Sequence, residues 1–327
     1  MAMRVVHDGS TELTEVLKQA QLSARSHLAI GVFDGVHCGH QQLITGLVKA
    51  AHSTGNVAVV LTFDPHPATT LGHEPLPLLT TVEERARLLA ALGLDIMVVL
   101  PFTPATARIP ATDFVEALVH HLRLAELWSG PDFALGHRRE GDIPFLLRLG
   151  AERGFAVHVV DPLMWEGATV SSGRVRAALK AGDIPQATGC LGRPYRLTGV
   201  ITPLQPPPPG EMEQEGHSIG APTVNISPPP ERLVPACGVY ACLAQAGRLG
   251  TRPAVVNIGI RSTPGGCAPV VEARLLDFEG DLCNQALALD FIARLQDERA
   301  FPTHEALIAQ VRDDATQART IFVRRGA

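Results

Sequence analysis

The sequence predicts an α/β chain: a parallel sheet covered by helices in the first half, then a small antiparallel β structure closed by a helix. Three observations predict it. Strand-like and helical segments alternate from residue 27 to residue 160. The alternation stops near Leu191. Beyond it, short β-like runs follow one another between Pro and Gly clusters. A length of 327 residues with 46% hydrophobic side chains suits two domains, each with its own core.

The runs HLAIGVF (27–33), VAVVLTF (57–63), DIMVVL (95–100) and FAVHVV (155–160) are short and apolar on both faces, as strands buried on both sides of a parallel sheet are. Between them stand the helical patterns HQQLITGLVKAAHSTG (40–55), TVEERARLLAALG (81–93), ATDFVEALVHHL (111–122) and PFLLRLGAERG (144–154). Thr81 and Glu84 have the spacing of a capping box, and Gly93 can end that helix. Such sheets bind ligands at the carboxyl ends of their strands. After LGRPYRLTGVIT (191–202), the runs at 238–247, 253–260, 270–278 and 286–295 read as an antiparallel barrel or sandwich. An amphipathic helix over 303–319 finishes the chain. The boundary falls between Gly182 and Leu191, giving domains 1–186 and 187–327. The low-complexity stretch PLQPPPPGEMEQEG (203–216) favours polyproline II, followed by an acidic tail.

The net charge of −5 argues against a nucleic-acid partner, which usually shows as a basic excess. No apolar run approaches the roughly 18 residues of a membrane span, so no membrane partner is expected. The start, MAMRVVHDGS, lacks the pattern of a secretory signal, and a cytoplasmic location is expected. Six cysteines without a C-x-x-C pair read as reduced, mostly structural thiols.

The segment GVFDGVHCGH (31–40) carries the chemistry. A metal held by His37, Cys38 and His40 would match no common zinc spacing. A Cys38 nucleophile would want a base and an orienting partner. A phosphate fits better, because the segment follows a strand and opens a helix, where backbone N–H groups and the helix dipole favour an anion. Gly39 lets a phosphate approach without a Cβ in the way. His37 and His40, three apart, face one side over the first turn and can donate to a phosphoryl group as charge builds. The chain has no G-x-x-x-x-G-K-[ST], so an ATP site here is of another kind.

GVFDGVHCGHQQLI resembles the nucleotidyltransferase motif of the bacterial bifunctional riboflavin kinase/FMN adenylyltransferases, the FAD synthetases. LTFDPHP (61–67), GPDFALGHRREGD (130–142) and VSSGRVRAAL (170–179) follow in the family's order, and LGRPY, GAPTVNI, GVYA, VVNIG and VEARLLDFEGDL extend the match through the second half. The resemblance covers roughly residues 25 to 318. It implies a Rossmann-like nucleotidyltransferase domain followed by a small β-barrel of riboflavin-kinase type.

By that resemblance the first domain transfers AMP from ATP to FMN, giving FAD and pyrophosphate. His37 and His40 grip the phosphates, Arg176 clamps them, and the hydroxyls of Ser171 and Ser172 bind phosphate oxygens and cap a helix. Gly31, Phe33, Asp34 and Gly39 shape the nucleotide-binding strand end; Asp64, His66, Asp132 and Phe133 lie where the family holds flavin. Gly173 stands at a usual Thr, which implies weaker ATP binding. The barrel moves the γ-phosphoryl of ATP to riboflavin, with Thr223 and Asn225 holding Mg²⁺ with ATP, and Glu272 as base. Before the P-T-x-N segment this chain carries the long acidic loop, with His217 near a usual arginine, and Ser262 replaces a usual proline. Two alternatives stay open on these departures: an adenylyltransferase with a degenerate kinase barrel, and a non-catalytic flavin-binding regulator. The partners implied are riboflavin, FMN and ATP, and a homo-oligomer is compatible with this reading.

Overall fold

The structure, a computed structural model, describes residues 3–7, 12–72, 76–202, 223–247, 250–263, 266–278, 280, 282–299 and 302–325. The loop at 203–216 therefore lies outside the described residues. The chain divides into two compact units, Met1–Ser172 and Gly173–Ala327.

The first unit runs β1 (Arg4–Val6), α1 (Leu13–Lys18), β2 (Ser26–Ile30), α2 (Cys38–Ser53), β3 (Val57–Asp64), α3 (Pro67–Thr70), α4 (Val82–Ala91), β4 (Ile96–Pro101), α5 (Ala111–Leu122), β5 (Leu124–Ser129), α6 (Ile143–Arg153) and β6 (Ala156–Val159), then a small hairpin of β7 (Met164–Trp165) and β8 (Ala168–Thr169). Among the described residues the main sheet has the order β1-β4-β3-β2-β5-β6, with every neighbouring pair parallel. Alternate residues of its central strands feed two cores. Leu28, Ile30, Val59, Leu61, Val98 and Leu100 pack with α1, α5 and α6 on one face. Ala29, Val60, Met97 and Val99 pack with Ile44, Leu47 and Ala51 of α2 and Leu89 of α4 on the other. Both faces are thus covered, as the uninterrupted apolar runs predict. The capping box forms: Glu84 N–H donates to Thr81 Oγ1 at 3.2 Å, and Thr81 N–H donates to Glu84 Oε2 at 3.1 Å.

The strand order fixes where a ligand goes. From β2 the chain winds through β3 to β4, which β1 flanks at the edge, then returns to β5 beside β2 and continues to β6. The switch point therefore lies between β2 and β5, and the crevice at their carboxyl ends is where open α/β sheets bind ligands.

Sequence and structure differ in places. The first strand, expected to reach Phe33, stops at Ile30, because Phe33 takes φ 52° and turns the chain. β6, expected to be buried, is mostly exposed, being a four-residue strand at the sheet's end. β1 and α1 were not foreseen; β1 exists through its register with β4, Val5 opposite Met97.

α7 (Ser172–Ala181) and α8 (Ile184–Leu191) lead into a barrel of β9 (Tyr195–Thr202), β10 (Thr223–Ser227), β11 (Gly238–Gln245), β12 (Thr251–Thr263), β13 (Gly266–Leu275) and β14 (Ala286–Gln296), followed by α9 (His304–Arg325). The strands close in the order β10-β13-β12-β11-β14-β9, with β9 pairing back to β10, all antiparallel. Closure removes free edges, so the fold is a barrel and not a sandwich. Tyr240 and Phe291 meet edge to face inside it, at 5.2 Å between centroids. Ala318 and Phe322 of α9 cover Ala241, Leu276 and Ile292. The division at Ser172/Gly173 precedes the 186/187 boundary expected from sequence. α7 and α8 make their contacts with barrel residues: Ala236 N–H donates to Leu179 O at 3.0 Å, and a side chain at Gly182 would strike the Arg294 guanidinium.

Candidate active sites

The turn from β2 into α2 is held from beneath. Asp34, 1% exposed, accepts from the backbone N–H of Leu79 and of Thr80 and from the Thr80 hydroxyl, at 2.9–3.1 Å. The same Thr80 Oγ1 accepts from Gly35 N–H at 2.9 Å. Thr62 Oγ1 donates to Val32 O at 3.0 Å and accepts from Arg85 Nη1 at 2.9 Å. Ser172 Oγ donates to Asp34 O at 2.8 Å, and Gln41 Nε2 to Val36 O at 2.8 Å. Asp34 thus builds the loop, and its role at the strand end acts through Leu79 and Thr80. Thr62, Thr80 and Arg85 were not singled out from the sequence; their only signal was polarity inside otherwise apolar segments. Arg85 is 2% exposed, and its burial pushes the guanidinium pKa down against the pull of Asp34, Asp64 and Glu83.

Asp34→Asn is expected to cost about 2–4 kcal/mol of folding stability, because its amide would turn N–H groups toward N–H donors. Chemical denaturation reads this as a lower midpoint at unchanged slope. A midpoint equal to the parent's would remove Asp34 from this role.

On this loop His37 and His40 stack, with ring centroids 3.6 Å apart and planes at 18°. Phe33 lies edge-on to His40 at 5.1 Å. His37 is the N-cap of α2: its Nδ1 accepts from His40 N–H at 3.3 Å. A neutral His37 whose Nδ1 accepts carries its proton on Nε2. His40 Nδ1 is buried with no hydrogen-bond partner, so the ring likewise favours its proton on Nε2, since an orphaned N–H is the costlier burial. The cap was missed in the sequence, where both histidines read as phosphate ligands alone. Gly39 has a second reason besides access: a Cβ there would press the His37 ring at 3.3 Å.

Burial first, then the His37 ring, then Arg85 hold the His40 pKa well below the ordinary 6.5. Folded protein therefore binds fewer protons than unfolded protein between that depressed value and 6.5, and stability falls as pH drops through this window. His40→Asn is expected to flatten that part of the thermal-unfolding profile; an unchanged slope between pH 7 and 5 would contradict it.

Two further loops emerge at carboxyl ends of the same sheet. Asp64 ends β3 beside Pro101, joined to Pro65 by a cis peptide bond. His66 Nδ1 accepts from Ala68 N–H at 3.1 Å and caps α3. After β5, Asp132 is exposed, its carbonyl accepting from Arg139 Nη2 at 2.7 Å, while Phe133 packs against the core beneath. The sheet thus brings Gly31 through His40 to the switch point beside the Asp132–Phe133 loop, with Asp64 and His66 on the adjacent strand end. Ser171 and Ser172 close the first unit, with Ser172 tied to Asp34 O. Arg176, 7% exposed on α7, belongs to the second unit.

On the barrel, the β10–β13 register sets Thr223 opposite Arg274 and Asn225 opposite Glu272. The intervening Ala273 and the following Val271 and Leu275 are buried in the interior, so these four residues share the outer face. The β12–β13 register adds Asn257 opposite Glu272. Asn257 and Arg274 were not assigned a role from the sequence; only cross-strand pairing places them.

A parallel sheet with paired histidines at a helix N-terminus, joined to a barrel with a Thr-x-Asn strand facing an acid, defines a two-domain phosphate-transferring enzyme. The family model described as FAD synthetase matches residues 19–174 and that described as riboflavin kinase matches residues 191–322. The bifunctional riboflavin kinase/FMN adenylyltransferase of Escherichia coli (strain K12) is 33% identical over 299 residues, covering 90% of this chain and 92% of that protein. The Pseudomonas fluorescens protein of the same description is 34% identical over 294 residues, covering 89% and 91%. The Bacillus subtilis (strain 168) protein is 29% identical over 328 residues, covering 98% of each. The chain belongs to the family of bifunctional riboflavin kinase/FMN adenylyltransferases, enzymes of FMN and FAD biosynthesis. A solved structure described as a macrolide-efflux protein from Streptococcus pneumoniae superposes with TM-score 0.84 at 24% identity over 98% of this chain and 99% of that one, and shows the shared fold alone. No helix among the described residues is long and apolar enough to cross a membrane.

Proposed function

We propose that riboflavin is phosphorylated on the outer face of the barrel and FMN is adenylylated at the β2–α2 turn, by the residues described above. In the first unit a phosphate oxygen of FMN attacks the α-phosphorus of ATP, the bond to the β-phosphate oxygen breaks, and pyrophosphate leaves. Nε2–H of His37 and of His40 donate to the departing phosphates, and the N-terminus of α2 adds its dipole. Because the two rings stack on each other and His37 is fixed as the N-cap of α2, these donors need no reorganisation as charge develops. Asp132, Phe133, Asp64 and His66 line the flavin side of the switch point.

In the barrel Glu272 takes the proton of the ribityl hydroxyl, whose oxygen attacks the γ-phosphorus of ATP, and ADP leaves. Asn225 and Asn257 stand opposite Glu272 on the two neighbouring strands. The outer face fits Mg²⁺: Asn225 is 8% exposed with a buried Oδ1 that has no partner, and an amide carbonyl beside a threonine hydroxyl is the hard-oxygen set this ion takes. Thr223 and Asn225 would hold it, and when bound it would neutralise charge on the phosphates. ATP as a substrate of both halves fits the cytoplasmic location expected from the sequence.

The stacked histidine pair at the N-terminus of α2 is the observation that carries the reading. A chromatographic time course of purified protein with riboflavin, ATP and Mg²⁺, run beside an FMN-fed sample, tests it. FMN followed by FAD is expected. An FMN-fed sample without FAD would overturn the adenylyltransferase half, and a riboflavin-fed sample without FMN the kinase half.

A further inference from the structure

Arg274 sits on the outer barrel face, opposite Thr223 on the neighbouring strand. Its Nε and Nη2 both converge on one acceptor, Thr223 Oγ1, at 3.2 Å each. Its Nη1 is buried and has no hydrogen-bond partner. Burial pushes the guanidinium pKa down and Glu272 pushes it up, yet an arginine stays charged at neutral pH. A buried cationic donor left unsatisfied is costly and calls for an anion. One cross-strand pair away, Asn225 Oδ1 is an acceptor in the same condition, buried and without a partner. A donor lacking an anion and an acceptor lacking a cation, side by side on one face, fit a ligand that carries both: a metal-bound phosphate chain.

We propose that Arg274 is a phosphate-binding residue of the kinase site, gripping the ATP phosphates through Nη1 while its other nitrogens fix the Thr223 hydroxyl. The inference rests on the reading of the outer face as that site. Two residues along a strand span about 7 Å, so Glu272 stands at the acceptor hydroxyl while Arg274 meets the phosphates beyond the transferred group. The Thr223 hydroxyl, accepting both bonds from Arg274, keeps its own proton to donate to a phosphate oxygen. Arg274 thereby adds phosphate affinity without touching the reacting oxygen, so its loss acts on ATP binding before it acts on turnover.

The test is steady-state kinetics of riboflavin phosphorylation by the full chain carrying Arg274→Met, Arg274→Lys, Asn225→Ala or Glu272→Gln. Arg274→Met is expected to raise KM for ATP roughly tenfold to a hundredfold, the range of one charge-assisted hydrogen bond, with a smaller change in kcat. Arg274→Lys, which keeps the charge and loses the fork, is expected to fall between it and the parent. Inhibition of the kinase step by inorganic tripolyphosphate is expected to weaken in parallel, while FAD formation from FMN and the melting temperature stay at parent values. If Arg274→Met leaves KM for ATP within twofold while Glu272→Gln and Asn225→Ala disable the kinase, the inference fails and the site reading stands. If Glu272→Gln and Asn225→Ala leave the kinase intact, the site reading itself fails. A loss in Arg274→Met that Arg274→Lys does not moderate, or that spreads equally to KM for riboflavin and to melting, would show a packing role and overturn the inference.

Discussion

His40→Asn is expected to lower the rate of FAD formation from FMN by about 10²–10³-fold, the cost of removing one donor aimed at developing charge, while riboflavin phosphorylation continues at the parent rate. The sign follows from the local geometry. His40 is stacked on His37 and backed by Phe33, with Nδ1 buried, so on the proposed reading Nε2 is its donor to the phosphates. Asparagine keeps a polar group but cannot hold that donor at the same reach. The main effect belongs in kcat, because the bond strengthens as pyrophosphate departs. His37→Ala is the harsher variant: it removes a donor and also the N-cap of α2, worth about 1 kcal/mol of helix stability. Rapid-quench turnover of FMN with ATP measures both. An unchanged single-turnover rate in His40→Asn would show that the ring only packs.

Glu272→Gln produces the complementary phenotype. FMN formation from riboflavin falls about 10²–10⁴-fold, the range for a positioned general base, and FMN supplied directly is still converted to FAD. Glutamine preserves shape and the flanking Asn225 and Asn257 on the neighbouring strands, so the loss isolates proton transfer from packing. Riboflavin phosphorylation by Glu272→Gln at the parent rate would place the base elsewhere. Together the two variants separate the halves of the enzyme in one polypeptide: one accumulates FMN, the other leaves riboflavin unused.

Much of this was legible before any coordinates. The four apolar runs, the capping box at Thr81 and Glu84, and the shift to short β-like runs after Leu191 correspond to β2, β3, β4, β6, the start of α4 and the barrel. Each rests on periodicity or capping within a few neighbouring residues, and such signals survive in a bare sequence. The histidine pair was legible for the same reason, since three residues of separation across a strand–helix junction suffice to place two rings together.

What the sequence determined alone was therefore local: which segments are strands and helices, where the chemistry-bearing residues cluster along the chain, and that phosphate suits the turn at 31–40. The tertiary structure decided the rest, because it depends on partners far apart in sequence. Asp34 reads as a nucleotide contact until the fold places it beneath the Leu79 and Thr80 amides, 45 and 46 residues on. β1 reads as an unremarkable terminus until β4, some 90 residues later, pairs with it. Arg274 and Asn257 read as ordinary polar positions until barrel closure sets them beside Thr223 and Glu272. Periodicity is a property of neighbouring residues, whereas strand pairing and buried hydrogen bonds depend on which distant segments meet, and only folding selects those.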